Sequence, residues 1–232
     1  MTVEFDLAGR IVPWGRDAEE YEAFFALSDV PCTARVLDCG GGPASFAAEW
    51  GEMGRFVVAV DPIFRSAAET IARGFEDTAT RILDGMRRAS ARFSWKLYGG
   101  PEDVIERRRA ALTRFVRDRS ASSSGGRYVA AALPRLPFPS AAFDVVLCSH
   151  LLFLYSAELS LEVHLSYLRE MLRVGAEVRV FPLLDMSGRE SAHLGSCLGE
   201  LEGAARVELV SVPFEFRRGD TKMLRLTRGA PA

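Results

Sequence analysis

Val36-Leu37-Asp38-Cys39-Gly40-Gly41-Gly42-Pro43-Ala44 is the stretch from which the rest of the chain can be read. An apolar run reaches an acid, passes into three glycines and leads into a helical pattern. A strand that enters a glycine turn and then a helix cradles a nucleotide-like ligand at the carboxyl ends of strands. Gly40 and Gly42 let the backbone approach such a ligand with no Cβ in the way. Asp38, just before the turn, stands where a carboxylate can accept a hydrogen bond from an ammonium group. A second run, Val57-Val58-Ala59-Val60-Asp61, ends in an acid 21 residues after Gly40, where such folds place the carboxylate that receives ribose hydroxyls. The same residues also fit a plain tight turn and a solvated strand-end acid.

Outward from this pair, short apolar runs alternate with helical patterns, the signature of an α/β protein with a mainly parallel sheet. Strands are expected at 35–39, 55–60, 127–131, 143–148 and 177–183. Two late strands, 206–214 and 222–227, are joined by a link containing Arg217-Arg218-Gly219-Asp220, short enough for an antiparallel hairpin. Helices are expected at 17–27 and at 157–174, where Leu159, Val163, Tyr167, Met171 and Val174 recur at helical spacing. Sixty-six residues, 61–126, separate the second and third strands, far more than one crossover needs. Helices at 65–74, 76–93 and 101–118 fill them, closed by a flexible Ser/Gly loop at 120–126. One domain over 1–232 is expected, with a helical insertion at 64–126 and an N-terminal helical cap at 1–30.

Composition agrees with an ordinary globular chain. The 232 residues are 48% hydrophobic and 26% charged, which excludes a disordered or fibrous protein. No apolar run approaches the ~20 residues of a membrane span. The acidic N-terminus lacks a secretory signal, and a cytoplasmic protein is expected. The net charge of −2 argues against a protein that coats nucleic acid over its whole surface. It hides an asymmetry, since residues 64–127 carry 14 basic against 8 acidic side chains. Cys32, Cys39, Cys148 and Cys197 form no Cys-x-x-Cys pair and are read as buried thiols. No His/Cys/Asp/Glu cluster has metal-ligand spacing, so no metal is expected.

The glycine turn and its spaced acid resemble the class I S-adenosylmethionine-dependent methyltransferases, whose first motif reads acid-x-Gly-x-Gly-x-Gly. Asp38, Gly40 and Gly42 match, with Ala44 in place of the third glycine. A nicotinamide-binding Gly-x-Gly-x-x-Gly would need a glycine where Ser45 stands. Leu136-Pro137-Phe138-Pro139-Ser140-Ala141-Ala142-Phe143-Asp144-Val145-Val146 resembles the family's run into the fourth strand. Leu168-Arg169-Glu170-Met171-Leu172-Arg173-Val174 resembles the helix before the fifth. The resemblance implies a Rossmann-like fold, a seven-stranded, mostly parallel sheet with an antiparallel terminal hairpin, and S-adenosylmethionine as cofactor. It implies cofactor contacts from Asp38, Cys39, Gly40, Gly41 and Gly42 at the methionine end and from Asp61 and Pro62 at the ribose. Ala132, Leu133 and Ser149 complete the set. Many relatives carry an acid where Ala132 stands, so adenine would be read by backbone groups near Leu133. The Pro-Gly-Gly usual before the fifth strand is replaced by Gly175-Ala176.

Methyl transfer asks the protein mainly to align donor and acceptor and to remove water. The resemblance implies that the loop after the fourth strand faces the methyl group, and here it reads Ser149-His150-Leu151-Leu152-Phe153-Leu154-Tyr155. His150 is the candidate base, because its ordinary pKa of ~6.5 suits proton abstraction near neutrality; a structural hydrogen bond to a neighbouring loop is its alternative. Tyr155 is the second catalytic candidate, as an aromatic wall, whereas Phe153 fits core packing better. His164 and His193 fit packing and a helix start.

No Asn-Pro-Pro-Tyr or Pro-Cys motif of a base-modifying enzyme is present, so a small-molecule acceptor is expected and the oligomeric state is left open. Arg107, Arg108, Arg109, Arg114 and Arg117 fit either a solvated helix over a packed underside or a docking face for an anionic substrate. RNA bound through 64–127 is therefore the alternative partner. A methyltransferase-like binding protein without turnover is the other alternative. The run from Gly9 to Arg16, with Trp14, is read either as a cover for the cofactor cleft or as a core anchor.

Overall fold

The computed structural model describes residues 14–121 and 125–229; positions 9–13 of the cover run and 122–124 of the Ser/Gly loop lie outside them. Strands β1 (Val36–Cys39), β2 (Val57–Val60), β3 (Tyr128–Val129), β4 (Phe143–Ser149), β5 (Gly175–Phe181), β6 (Ala205–Ser211) and β7 (Lys222–Arg228) form one sheet in the order β3-β2-β1-β4-β5-β7-β6. β1 through β5 pair in parallel, and β7 runs antiparallel to both β5 and β6. The expected seven-stranded α/β sheet with an antiparallel terminal hairpin is therefore present. Because the chain steps outward from β1 to β3 and then returns to β4 on the other side, the order reverses between β1 and β4. A crevice opens at the carboxyl ends of strands at such a reversal.

Every residue of β1 is buried, as a strand covered on both faces requires. Alternate side chains feed two cores. Val36, Val145 and Leu147 pack on one face, and Leu37, Val146 and Cys148 on the other, the period-2 alternation of a strand. Helices α1 (Ala18–Phe25), α2 (Phe46–Glu52), α3 (Ala68–Arg88) and α4 (Pro101–Ser120) supply the first core; α5 (Leu161–Val174) and α6 (Leu194–Leu201) supply the second.

Several boundaries depart from expectation. The two helices expected at 65–74 and 76–93 are one continuous α3 through Gly74. Ile71, Phe75, Ala79, Ile82 and Met86 form a single buried stripe along it, and its burial outweighs the roughly 1 kcal/mol that an interior glycine costs. α5 begins at Leu161, because Ser160 takes the Val163 N–H as a cap, so Leu159 lies outside it. β3 has only two residues, β5 spans 175–181 instead of 177–183, and β6 ends at Ser211 instead of 214. Cys32, expected to be buried, is exposed. His193 occupies the cap position of α6 without a side-chain cap bond. Among the described residues no helix is long and apolar enough to cross a membrane.

One short helix is fixed at both ends. α1 opens on a capping box in which Asp17 accepts the Glu20 N–H at 3.0 Å and Glu20 accepts the Asp17 N–H at 3.3 Å. Glu20 is fully buried and meets the guanidinium of Arg108 from α4, only 1% exposed. The Tyr98 hydroxyl also donates to Glu20. Burial pushes this carboxyl up, and the Arg108 guanidinium more than reverses the shift, holding it at about 2. Arg107 donates to Asp17 at 2.8 Å and to Glu19 at 2.6 Å. At the far end Arg179 of β5 donates to the carbonyls of Phe25 and Ala26 at 2.6 and 2.9 Å, a cation on a helix C-terminus.

Of the remaining arginines of α4, Arg109 pairs with Glu76 at 2.8 Å, Arg114 and Arg117 pair with Glu52 at 2.6 and 3.3 Å, and Arg119 donates to the Phe64 carbonyl. Removing one member of a buried ion pair strands the other, at a cost of about 3–5 kcal/mol. Arg108→Met is accordingly expected to lose that much stability in urea unfolding. Adding Glu20→Gln, which keeps an acceptor for Tyr98, is expected to return most of it.

Candidate functional site

A cavity of about 420 Å³ opens at the carboxyl ends of β1, β2, β4 and β5, within the range of small-ligand sites. The glycine turn forms one wall. Gly40 and Gly42 have φ of 71° and 55°, the left-handed region that glycine enters without penalty. At Gly41 a Cβ would lie 2.1 Å from the Asp38 carboxylate, so the close approach excludes any other residue. Asp61, at the end of β2, accepts the Gly42 N–H at 3.0 Å and the Ile63 N–H at 2.8 Å. These bonds tie the two strand ends together and aim the carboxylate over the turn; burial holds its pKa above the usual range.

Cys39, Gly40, Gly41, Gly42, Asp61, Pro62, Ala132, Leu133, Ser149, His150 and Tyr155 all line this one cavity. Asp38 is not among the residues that line it. It is fully buried beneath the wall, and its carboxylate receives the Tyr21 hydroxyl at 3.0 and 3.2 Å. Tyr21 of α1 thus faces the cavity where Asp38 was expected to. Burial pushes the Asp38 carboxyl up to about 7, opposed by the Tyr21 hydrogen bond and aided by the Asp61 charge. Phe153 is buried in the second core. His164 is buried with its Nδ1 at 2.9 Å from the Ser160 carbonyl.

His150 follows the last residue of β4 with φ of 52°, uncommon for a residue with a Cβ. Its N–H donates to the Phe181 carbonyl at 2.6 Å, and its Nδ1 lies 2.8 Å from the Ser149 hydroxyl. Phe24 and Phe181 pack on the ring at 5.4 Å. Burial, then the charges of Arg16, Arg108 and Arg217, hold its pKa well below the usual value, so the imidazole is neutral at physiological pH. The backbone bond and the Ser149 contact fit the structural alternative, and the lowered pKa makes the neutral ring a weaker base than a free imidazole.

Other lining groups were not singled out as site residues. Arg16, beside Trp14, is tied to the turn by the Ser45 N–H, which donates to its carbonyl at 3.0 Å. Its guanidinium makes one long bond, 3.4 Å, to the Trp14 carbonyl. Among the described residues Arg16 Nε and Trp14 Nε1 are buried without a partner, and burial lowers the Arg16 pKa to about 10. Across the cavity stand Arg217 and Asp220 from the β6–β7 link. Trp14 and Arg16 belong to the Gly9–Arg16 run that the sequence offers as a cleft cover or a core anchor; nothing local in the sequence marks Tyr21 or Asp220.

No protein-family model matches the chain. An uncharacterised protein of Methanocaldococcus jannaschii is 28% identical over 219 residues, 92% of this chain and 95% of its own. Among solved structures, a SAM-dependent methyltransferase of Aquifex aeolicus aligns with a TM-score of 0.45 at 13% identity, over 90% of this chain and 92% of that one. The 1,6-didemethyltoxoflavin-N1-methyltransferase of Burkholderia thailandensis aligns at 0.46 and 14%, over 89% and 76%. The magnesium protoporphyrin IX methyltransferase of Synechocystis, crystallised with SAM, aligns at 0.42 and 13%, over 88% and 74%. The chain's own strand order, not these likenesses, defines its fold.

The buried Asp38 carboxyl has a stability consequence. Unfolded, it ionises near 3.9; folded, it keeps its proton to about pH 7. Between those values each rise in pH favours the unfolded chain through this group. His150, shifted downward, works in the opposite sense below about pH 6.5, but it cancels in a comparison of two proteins that share it. Asp38→Asn is therefore expected to gain stability relative to wild type from pH 4 to 7 and then to level off. Urea midpoints across pH 5–8 measure this, and a pH-independent difference would contradict it.

Proposed function

We propose that this chain is an S-adenosylmethionine-dependent methyltransferase acting on a small-molecule acceptor. The observation that carries the reading is the joining of the glycine turn and Asp61 at adjacent strand ends, on the wall of one cavity at the sheet's reversal point. The residues present fit the cofactor's polar ends. Asp61 offers a carboxylate to ribose hydroxyls. Arg16 and Trp14 bring unpartnered buried N–H groups suited to the methionine carboxylate, and Ala132 and Leu133 line the wall where adenine would lie.

When bound, S-adenosylmethionine supplies a methyl group on a positively charged sulfonium. The chain's own part is to hold, orient and exclude water. Ile82, Met86, Phe93, Met186 and Phe216 give the cavity apolar walls, which keep water from the reacting groups. His150, neutral and on the wall after β4, can take a proton from an acceptor that still carries one. A small-molecule acceptor is supported by these walls and by the pairing of Arg107, Arg108, Arg109 and Arg114 with acids of this same chain, which leaves less of that charge for phosphates.

Calorimetric titration with S-adenosylmethionine and S-adenosylhomocysteine tests the reading. Wild type is expected to bind both. Asp61→Ala is expected to bind about 10- to 100-fold more weakly, since hydrogen bonds to a charged group contribute about 1.5–3 kcal/mol. No binding at millimolar cofactor would overturn the proposal.

A further inference from the structure

Asp220 is a buried acid with an unsatisfied oxygen at the end of the cavity away from Asp61. The residue is 4% exposed and lines the cavity, and its Oδ1 has no hydrogen-bond partner among the described residues. The Leu183 N–H favours its charged form, and the Asp220 N–H donates to the Arg217 carbonyl at 3.0 Å. The backbone at Asp220 is thus tied to Arg217, and one carboxylate oxygen beside the cavity is buried without a partner among the described residues. A buried acceptor without a partner costs about 1–3 kcal/mol, and a ligand that supplies a donor recovers it.

Strand order says which ligand that is. β7 lies three strands from β1, through β4 and β5, or about 14 Å at 4.7–4.9 Å per step. β2, with Asp61, lies on the opposite side of β1. A cofactor spanning the glycine turn and Asp61 therefore extends away from Asp220. His150, after β4, lies between the two ends, so on the methyltransferase reading Asp220 stands on the acceptor's side of the methyl group. Around it the walls are apolar: Phe93 and Phe216 pack at 4.8 Å between centroids, with Met186 and Pro182 beside them.

We infer that Asp220 anchors the methyl acceptor, and that the acceptor is a flat, largely apolar molecule presenting an uncharged N–H or O–H donor to this carboxyl. An ammonium is disfavoured because Arg16 and Arg217 already act on Asp220 as counter-charges. The inference rests on the methyltransferase reading, from which it takes the direction of the cofactor.

Two probes of the same frame test it, 2-naphthol, which has the donor, and 2-methoxynaphthalene, which lacks it. Each is titrated calorimetrically into wild type and Asp220→Asn saturated with S-adenosylhomocysteine, whose own binding is measured first on both proteins. In Asp220→Asn one carboxylate oxygen becomes an NH₂ donor, which removes an acceptor from the cavity wall. Wild type is expected to prefer 2-naphthol by about tenfold or more, and Asp220→Asn to lose that preference while binding S-adenosylhomocysteine as before. A preference that persists in Asp220→Asn would be one of ligand size and would overturn the inference, as would equal binding to wild type or binding of neither probe. Failure of S-adenosylhomocysteine to bind wild type would overturn the cofactor reading instead; a naphthol preference seen without it would still support Asp220 as a donor-binding site.

Discussion

Glu20 cannot sit in the core as a charge without a counter-charge, and among the described residues the only cation in contact with both its oxygens is Arg108, 88 residues away. That requirement locks α4 onto α1. The next residue along α1 is Tyr21, whose hydroxyl holds Asp38 at the carboxyl end of β1, and whose ring stacks on Phe46 at 4.2 Å. A buried ion pair adds little stability compared with an apolar substitute, but it does select one arrangement over its neighbours when each charge has nowhere else to go. Here the arrangement selected is the one that sets Tyr21, Arg16 and Trp14 over the glycine turn.

The same scarcity of water governs the cavity. Burial drives Asp38 and Asp220 both to about 7 and holds His150 well below its usual value. Carboxyls and imidazole are thereby all moved toward their neutral forms, which is what desolvation does to any ionisable group lacking a full set of partners. The groups are not interchangeable, because the strand order separates them. Asp38 and Asp61 stand at β1 and β2, His150 follows β4, and Asp220 precedes β7. One end of the cavity is built from backbone and acids around a turn, the other from one acid among aromatic and sulfur side chains.

Much of this was legible in the sequence, for physical reasons. The central strands are covered on both faces and so read as continuous apolar runs. The glycine turn is legible because Gly40 and Gly42 adopt left-handed backbone and Gly41 approaches Asp38 too closely for any Cβ. The LPF run and the LREMLRV helix, which looked like two separate resemblances, are one device. Glu170 accepts the Leu136 N–H at 2.7 Å, and Arg173 donates to the carbonyls of Phe138 and Leu136 at 2.9 and 3.3 Å. Local pattern failed where a tertiary contact decides. The stripe on α3 carried the helix through Gly74. Asp38 lost its place on the wall to Tyr21, and Asp220 is a site candidate only because the hairpin returns it to the cavity.

The arginines of α4 mark the limit of reading charge along a chain. Counted by segment, residues 64–127 look like an excess of positive charge facing an acidic remainder. In space the two are in contact. Arg107 and Arg108 meet Asp17, Glu19 and Glu20 of the α1 region, and Arg114 and Arg117 meet Glu52 of α2. A segmental imbalance is then the expected signature of two elements that must find each other across a long separation, since like charges within each discourage self-association and opposite charges favour the pairing. The basic character of α4 therefore belongs first to its pairing with the acids of the α1 and α2 regions.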